Sequence, residues 1–175
     1  MAVVRWLVGA ALGLGWLAAP AAAIPRLDLS GYPPPAPGDR RWVIQLSGLL
    51  PPSPDPSLAG DPADWRVQVV VGRTVVVDCN SKALSGSVQQ VPLQVGGHPQ
   101  VLLRATGGAV LSTRMACLEE SPRRSQFLSL GREPTLLPYR VSWPIVVDAP
   151  AELEVRWRLW KAEASLKPAM LQRQR

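Results

Sequence analysis

The valine-rich run WRVQVVVGRTVVVDC, residues 65–79, constrains the fold more than any other stretch of this chain. Valine branches at Cβ, which favours extended backbone over helix. Gly72-Arg73 divides the run into two arms, and a glycine in the first position of a two-residue turn suits a type II′ hairpin. We therefore expect two strands that meet at a turn near Gly72.

Similar short runs recur along the chain. They predict strands at 41–46, on both sides of Gly96-Gly97 within 91–105, at 125–131, at 143–149 and at 151–163. No segment shows a long amphipathic helical period. The pattern predicts an all-β single domain, an antiparallel β-sandwich or partly closed barrel with long loops.

The strand predicted at 151–163 has one apolar and one charged face. Leu153, Val155, Trp157 and Leu159 alternate with charged residues, so that one side would point toward a core. Trp160 interrupts the charged face. An aromatic side chain there indicates a covered surface, either a subunit contact or simple packing against a loop.

Residues 1–23 have the layout of a secretory signal. Arg5 precedes an apolar run that ends in three alanines, Ala21 to Ala23. A retained membrane anchor or a buried helix is the alternative, but three glycines and Pro20 interrupt the run, and a bilayer crossing needs ~20 predominantly apolar residues. We expect export, cleavage after Ala23 and no membrane attachment of the mature chain.

Cys79 and Cys117 are the only two cysteines, and both lie in the part expected to be exported. In an oxidising compartment such a pair predicts one disulfide, with two separately buried thiols as the alternative. The closed loop would span 117 − 79 = 38 residue steps. Chain-entropy arguments assign a loop of that size about 3–4 kcal/mol of stability.

Three proline-containing segments lack a strand or helix period. Residues 24–40 should be extended and solvent-exposed, 47–64 should form a long surface loop with no role we can assign, and 166–175 should be a flexible tail. The folded domain is therefore expected to cover residues 41–165.

The residues needed for catalysis or metal binding are scarce. His98 is the only histidine, and it lies in a predicted turn, GGHPQ. No nucleophile-elbow, zinc-protease or phosphate-loop motif is present, and one histidine beside a disulfide cannot supply a zinc site. The net charge of +6 comes from scattered basic residues without a stripe interleaved with aromatics, which argues against nucleic acid. We expect no enzyme, no metal, no cofactor and no nucleic-acid partner.

The segment VLSTRMAC, residues 110–117, places Arg114 three positions before a cysteine. An ordinary surface arginine is the simplest interpretation. The TGGA sequence at 106–109 is too loose to hold the segment from its N-terminal side, whereas Cys117 can hold it from the other. An extended, tethered segment with arginine at its crest has the shape of a substrate for a trypsin-like protease.

Several motifs around this segment resemble the ecotin family, which are periplasmic serine protease inhibitors. Where that family has Ser-Thr-Met-Met-Ala-Cys, this chain has Ser112-Thr113-Arg114-Met115-Ala116-Cys117. The resemblance runs in order over roughly residues 32–165. Its other motifs are Tyr32-Pro33, Arg41 with Val43-Ile44-Gln45-Leu46, Val77-Asp78-Cys79-Asn80, Pro144-Ile145-Val146-Val147 and Trp160-Lys161-Ala162-Glu163.

The resemblance implies a reactive bond between Arg114 (P1) and Met115 (P1′). The primary binding loop would comprise Leu111, Ser112, Thr113, Arg114, Met115 and Ala116, with Asn80, Ser81 and Lys82 as a supporting loop braced by the Cys79–Cys117 disulfide. It also implies a homodimer that exchanges C-terminal strands, about residues 152–163, with Trp157, Leu159 and Trp160 at the contact.

A second protease-binding patch is implied on two further segments. Its residues would be Gly97, His98, Pro99, Gln100, Pro138, Tyr139, Arg140, Val141, Ser142 and Trp143. GGHPQ lacks the family's aromatic-rich loop, which leaves less surface for a binding hot spot. The partners implied are serine endopeptidases of the chymotrypsin fold. Because P1 is arginine, we expect trypsin-like enzymes to be preferred among them. A non-inhibitory secreted β-sandwich that only binds a partner stays the alternative.

Overall fold

The computed structural model describes residues 27–48, 55–118 and 122–172. The predicted signal at 1–23 lies outside the described residues, as do residues 49–54 of the predicted long loop and 173–175 of the predicted tail. Within the described ranges there are eight strands, one 3-10 turn and no α-helix, and hence no helix able to span a membrane. The strands are β1 (Asp39–Ile44), β2 (Trp65–Val77), β3 (Lys82–Val95), β4 (His98–Ser112), β5 (Arg124–Ser129), β6 (Thr135–Pro138), β7 (Ile145–Pro150) and β8 (Glu154–Lys161), and the 3-10 turn is Pro62–Asp64.

The strands form two sheets that pack face to face. One sheet has the order β1-β7-β4-β3, and the other is built around β2, with β8 on one edge and β5 and β6 on the opposite edge. All pairs are antiparallel except β4 with β7, which are parallel over three residue pairs. The all-β prediction is confirmed in its sandwich form, since the sheets do not close into a barrel.

The predicted hairpin at Gly72-Arg73 is wrong. β2 runs through this position as one 13-residue strand, and Gly72 pairs with Ser129 on one side and Glu154 on the other. A Cβ at Gly72 would overlap the carbonyl oxygen of Leu128. The glycine is therefore explained by close approach of β5 rather than by a turn.

The main core lies between the two sheets. Alternate residues of β2, Val67, Val69 and Val71, face Leu103 of β4 and Val147 of β7, and all five are buried. The valine-rich run thus supplies the central strand of the core.

A second, smaller cluster covers the outer face of the first sheet. Tyr32 packs there with Val95, Leu102 and Val146, and only 6% of its surface is exposed. The expectation that residues 24–40 are solvent-exposed is therefore wrong at Tyr32. The segment is also held by the guanidinium of Arg41, which donates to the carbonyl oxygen of Pro33 and binds both carboxylate oxygens of buried Asp148 at 2.8 Å.

The β3–β4 hairpin determines where the segment around Arg114 begins. It turns at Gly96-Gly97 as predicted, where both glycines have positive φ, but its strands are 14 and 15 residues long. Residues 106–109, expected to be loose, lie inside β4, and pairing continues to Lys82 opposite Ser112. The segment is therefore held from its N-terminal side as well.

Candidate functional site

Residues 112–117, hereafter the Arg114 loop, leave the sandwich where β4 ends. Ser112 is the last residue in the β3 ladder, and the Thr113 N–H still donates to the Ser81 carbonyl oxygen at 3.1 Å. The side chains from Leu111 to Ala116 are all exposed. Leu111 lies just before the loop, and the others belong to it. The backbone therefore enters the loop in extended form with its side chains directed to solvent.

The disulfide holds the other end of the loop. Cys79 and Cys117 are bonded with their Cα atoms 5.7 Å apart, which confirms the predicted pairing. Cys79 lies two residues after the end of β2, the central strand of its sheet. The bond thus connects the end of the loop to a strand that supplies much of the main core.

Asn80 connects the two sides of Arg114. Its Oδ1 accepts from the Met115 N–H at 2.7 Å and from the Thr113 hydroxyl at 3.0 Å. Its Nδ2 donates to the Met115 carbonyl oxygen at 3.4 Å and lies 3.2 Å from Cys117 Sγ. One amide therefore binds the residues before and after Arg114, and the peptide bond between Arg114 and Met115 is held at its Met115 nitrogen.

The position of Asn80 is set by a short turn. The Asn80 N–H donates to Asp78 Oδ1 at 3.0 Å, the side-chain–backbone bond of an Asx turn. This bond, followed by the charge of Lys82, holds the pKa of Asp78 below its ordinary value, so the carboxylate is ionised at neutral pH. Lys82 Nζ donates to the Val76 carbonyl oxygen at 2.7 Å, and the Ser81 N–H donates to the Thr113 hydroxyl at 3.1 Å. All three predicted supporting residues thus contact the loop or its base.

Arg114 itself is held differently from its neighbours. Its side chain is exposed and makes no hydrogen bond or ion pair with another described residue. The tethers act on Thr113, Met115 and Cys117, so the guanidinium is left available to a partner while the backbone beneath it is fixed.

The segments predicted for a second patch meet on the other end of the sandwich. The rings of His98 and Trp143 lie 5.4 Å apart, beside a groove of about 140 Å³. Predicted residues that line the groove are Pro99, Gln100, Pro138, Arg140 and Trp143. Gly97 and Ser142 are exposed nearby, and Val141 is an exposed apolar side chain.

Tyr139 is the exception within this patch. Its ring is buried edge-to-face against Trp65, and its hydroxyl donates to the Ser47 carbonyl oxygen at 2.6 Å. Burial raises its pKa, so the phenol stays protonated at neutral pH. Tyr139 therefore fixes the segment rather than offering surface to a partner.

The predicted contact strand, β8, has one paired and one unpaired edge. It pairs with β2 over eight residues, and its other edge has no strand neighbour among the described residues. Leu159 packs against the core, whereas Trp157 and Trp160 are 47% and 45% exposed. Trp160 Nε1 and Arg158 Nε both donate to Gln68 Oε1, which fixes the indole at the surface.

The described residues contain no group of three or more metal-ligating side chains.

A match to a known protein family identifies the family to which this chain belongs. The family model for ecotin matches residues 28–162, which include β1 to β8, the Arg114 loop and its disulfide. The chain belongs to the ecotin family. Ecotins are secreted or periplasmic serine protease inhibitors, and membership confirms the resemblance seen in the sequence motifs.

Curated ecotins from several bacteria are similar over most of their length. The ecotin of Prochlorococcus marinus strain MIT 9313 is 49% identical over 152 residues, 86% of each chain. Ecotins of Pseudomonas putida strain W619 and Pseudomonas fluorescens strain ATCC BAA-477 are 32% and 34% identical, over 88% and 85% of this chain and 89% and 87% of theirs. The likeness therefore covers more than four fifths of this chain.

Two supports of the Arg114 loop are not among the residues predicted for the site. One is Asp78, although an aspartate two residues before Asn80 is a recognisable Asx-turn pattern. The β3 ladder up to Ser112 was hidden by the glycines at 107 and 108, which have positive φ and accompany a register shift near Gly86. The first support therefore has a local signal in the sequence, whereas the second has none.

Proposed function

We propose that the mature chain inhibits chymotrypsin-fold serine proteases in the periplasm, with Arg114 as P1 and Met115 as P1′. The observation that carries this proposal is the contrast within the Arg114 loop. Its backbone is fixed at Thr113, Met115 and Cys117, while the Arg114 side chain is exposed and pairs with no other residue in the described ranges.

The extended approach to Arg114 suits binding along an enzyme's edge strand. Leu111, Ser112 and Thr113 would occupy P4 to P2 and add a short strand to the protease. Because the loop is ordered before binding, little conformational entropy is lost on association.

Inhibition follows if the cut bond reseals faster than the acyl-enzyme is hydrolysed. After attack on the Arg114 carbonyl carbon, the new amine belongs to Met115. Asn80 binds the carbonyl oxygen of Met115, and the disulfide holds Cys117 two residues further on. The amine is therefore retained beside the acyl group instead of diffusing away, and the loop behaves as an inhibitor rather than a substrate.

Arginine at P1 selects among chymotrypsin-fold enzymes. A guanidinium forms a buried ion pair only where the S1 pocket contains a carboxylate, as in trypsin-like enzymes. An apolar S1 pocket would have to bury the charge without a partner, which is strongly unfavourable. We therefore infer a preference for trypsin-like targets over chymotrypsin- and elastase-like ones.

Titration of the mature protein against trypsin tests the proposal. We expect stoichiometric loss of protease activity, with Arg114→Asp weakening inhibition at least about a thousand-fold because it places two carboxylates together in S1. Arg114→Lys is the matched control and should retain most of the inhibition. Both variants should melt like the parent, since Arg114 makes no stabilising contact with the described residues. Rapid cleavage after Arg114 without a lasting complex would contradict inhibition and favour a non-inhibitory binding module.

We further infer that the protein is a homodimer built on β8. A strand edge of eight residues that no other described strand covers, with two exposed tryptophans, is an aggregation hazard unless another chain pairs with it. In a strand-exchanged dimer the β8–β2 ladder seen here would form between subunits. The patch near His98 and Trp143 would then contact the protease held by the partner.

Sedimentation analysis of a Trp157 variant tests the dimer. Trp157→Ser removes an exposed indole without a described hydrogen bond, so we expect at least about tenfold weaker dimerisation at little cost in folding. Removing all of β8 is less informative, because Val155 and Leu159 pack against the core and the ladder with β2 would also be lost. Leu166→Ser, at an exposed leucine in the C-terminal segment, is the control. An unchanged dimer constant for Trp157→Ser would contradict the contact.

Export rests on the predicted signal at 1–23 and on the disulfide. A bonded pair with no free cysteine fits an oxidising compartment such as the periplasm.

A further inference from the structure

Met115 combines a fixed backbone with an exposed thioether. Its N–H and carbonyl oxygen both bind Asn80, at 2.7 and 3.4 Å, yet 58% of its surface is exposed. The chain has three methionines, and Met1 belongs to the predicted signal. Both cysteines are consumed by the disulfide, so Met115 and Met170 are the sulfur atoms most open to oxidants in the mature chain.

We propose that Met115 is an oxidation site at which two-electron oxidants such as hydrogen peroxide weaken inhibition; the inference rests on the proposed function, in which Met115 is P1′. In the reaction, the sulfur lone pair attacks one peroxide oxygen and the O–O bond breaks. The sulfur loses two electrons and gains that oxygen as a sulfoxide, and the peroxide is reduced to one water molecule.

Oxidation changes the chemistry of the side chain beside the reactive bond. The sulfoxide is polar and chiral where the thioether was apolar and pliable. A P1′ side chain loses water when a protease covers the loop, so an unpaired sulfoxide oxygen would be desolvated in the complex. Because Asn80 and the disulfide fix the backbone, the loop cannot easily move the modified side chain away.

Met170 provides an internal reference for the chemistry. It is 97% exposed in the segment after β8, away from the Arg114 loop, and should be oxidised at least as readily. If oxidation of any surface methionine weakened inhibition, the loss would correlate with the sulfoxide fractions of both Met115 and Met170. The proposed loss of inhibition correlates with the sulfoxide fraction of Met115 alone.

The experiment compares the full-length mature protein with two variants. The parent, Met170→Leu and Met115→Leu are treated with graded hydrogen peroxide, which is then removed with catalase. Peptide mass spectrometry gives the sulfoxide fraction at each methionine, and trypsin titration gives the inhibition constant of each sample relative to its own untreated state.

We expect the Met170→Leu protein to lose affinity in step with Met115 sulfoxide, by at least about tenfold at full conversion, equivalent to about 1.4 kcal/mol. Met115→Leu should show no change between treated and untreated samples, which excludes damage to tryptophan as the cause. Full Met115 sulfoxide with an unchanged inhibition constant, or failure of Met115 to oxidise when Met170 does, would overturn the inference alone. Failure of the untreated parent to inhibit trypsin would instead overturn the proposed function on which it rests.

Discussion

The Arg114 loop and the centre of β2 are both rigid, but for opposite physical reasons. Val67, Val69 and Val71 are fixed by burial on the core side and by ladders on both edges of the strand. The Arg114 loop has no buried side chain, and its order comes from one disulfide, one asparagine and the end of one ladder. Core packing buries the side chains that it orders, so they cannot contact a partner. Tethers that act on the backbone leave the side chains of the loop exposed to a partner.

The two kinds of rigidity should therefore fail separately. Changes to the hydrogen-bonded tethers should alter inhibition more than folding, loss of the disulfide should alter both, and changes to the core should alter folding more than inhibition. Arg114→Asp is the limiting case, because it removes the basic side chain proposed to enter the protease and leaves the loop tethers and the core packing intact.

Removing the disulfide should have the largest effect on the loop, because the bond is the loop's only covalent tether. For the double variant Cys79→Ser, Cys117→Ser we expect trypsin to cleave after Arg114 and to regain activity within minutes rather than remain inhibited. Chain-entropy arguments predict a loss of about 3–4 kcal/mol in the free energy of unfolding as well. Gel analysis of the cleaved chain and urea unfolding measure the two effects.

Reduction of the parent provides an independent version of the same experiment. Mild reductant, with thiol content verified by mass, should reproduce the behaviour of the double variant. Unchanged inhibition after verified reduction would show that Asn80 and the β3 ladder hold the loop without the bond.

A core substitution should produce the complementary result. Leu103 of β4 is fully buried between the sheets. Leu103→Ala should lower the free energy of unfolding by about 3 kcal/mol through lost burial and a residual cavity. Its inhibition constant, measured well below the melting transition, should stay within about threefold of the parent, a change of less than 1 kcal/mol. A parallel loss of inhibition would show that the loop depends on core packing more than its contacts suggest.

Exposed Val76 on β2 offers the matched control for this core variant. It is an apolar strand residue with more than half of its surface in solvent. Val76→Ala should lower stability by less than about 1 kcal/mol, because little buried surface is removed.

Most of the strands could be predicted from the sequence because their signal is local, although β6 and the first half of β3 were not predicted. β-branched residues and period-2 alternation are properties of a few neighbouring positions, and they predicted strands at 41–46, 125–131 and 143–149 close to β1, β5 and β7. Gly72 was misjudged because its reason is not local. Only the position of β5 shows that a side chain there would overlap the Leu128 carbonyl.

The same limit applies to the candidate site. The loop sequence and the cysteines indicate a tethered arginine, and the ecotin resemblance assigns the roles that remain to be tested. Asn80 contacts residues that lie 33 to 37 positions further along the chain, and no residue adjacent to it in sequence indicates these contacts. Burial of Tyr139 is equally invisible in sequence, because it depends on how Trp65 and Ser47 are placed around the ring.

Asn80 permits the finest test of how a tethered loop differs from a packed core. Asn80→Ala removes the acceptor for the Met115 N–H and the Thr113 hydroxyl, two bonds worth about 0.5–1.5 kcal/mol each. We expect roughly tenfold to hundredfold weaker trypsin inhibition and faster cleavage after Arg114. Asn80→Asp keeps the acceptor and loses the donor to the Met115 carbonyl, so it should fall between Asn80→Ala and the parent. The melting temperature should change little in either variant, since the disulfide remains and the loop buries no core residue. If Asn80→Ala unfolds more easily but inhibits like the parent, the amide stabilises the fold rather than the backbone around Arg114. The proposed distinction between a tethered loop and a packed core would then be wrong at Asn80.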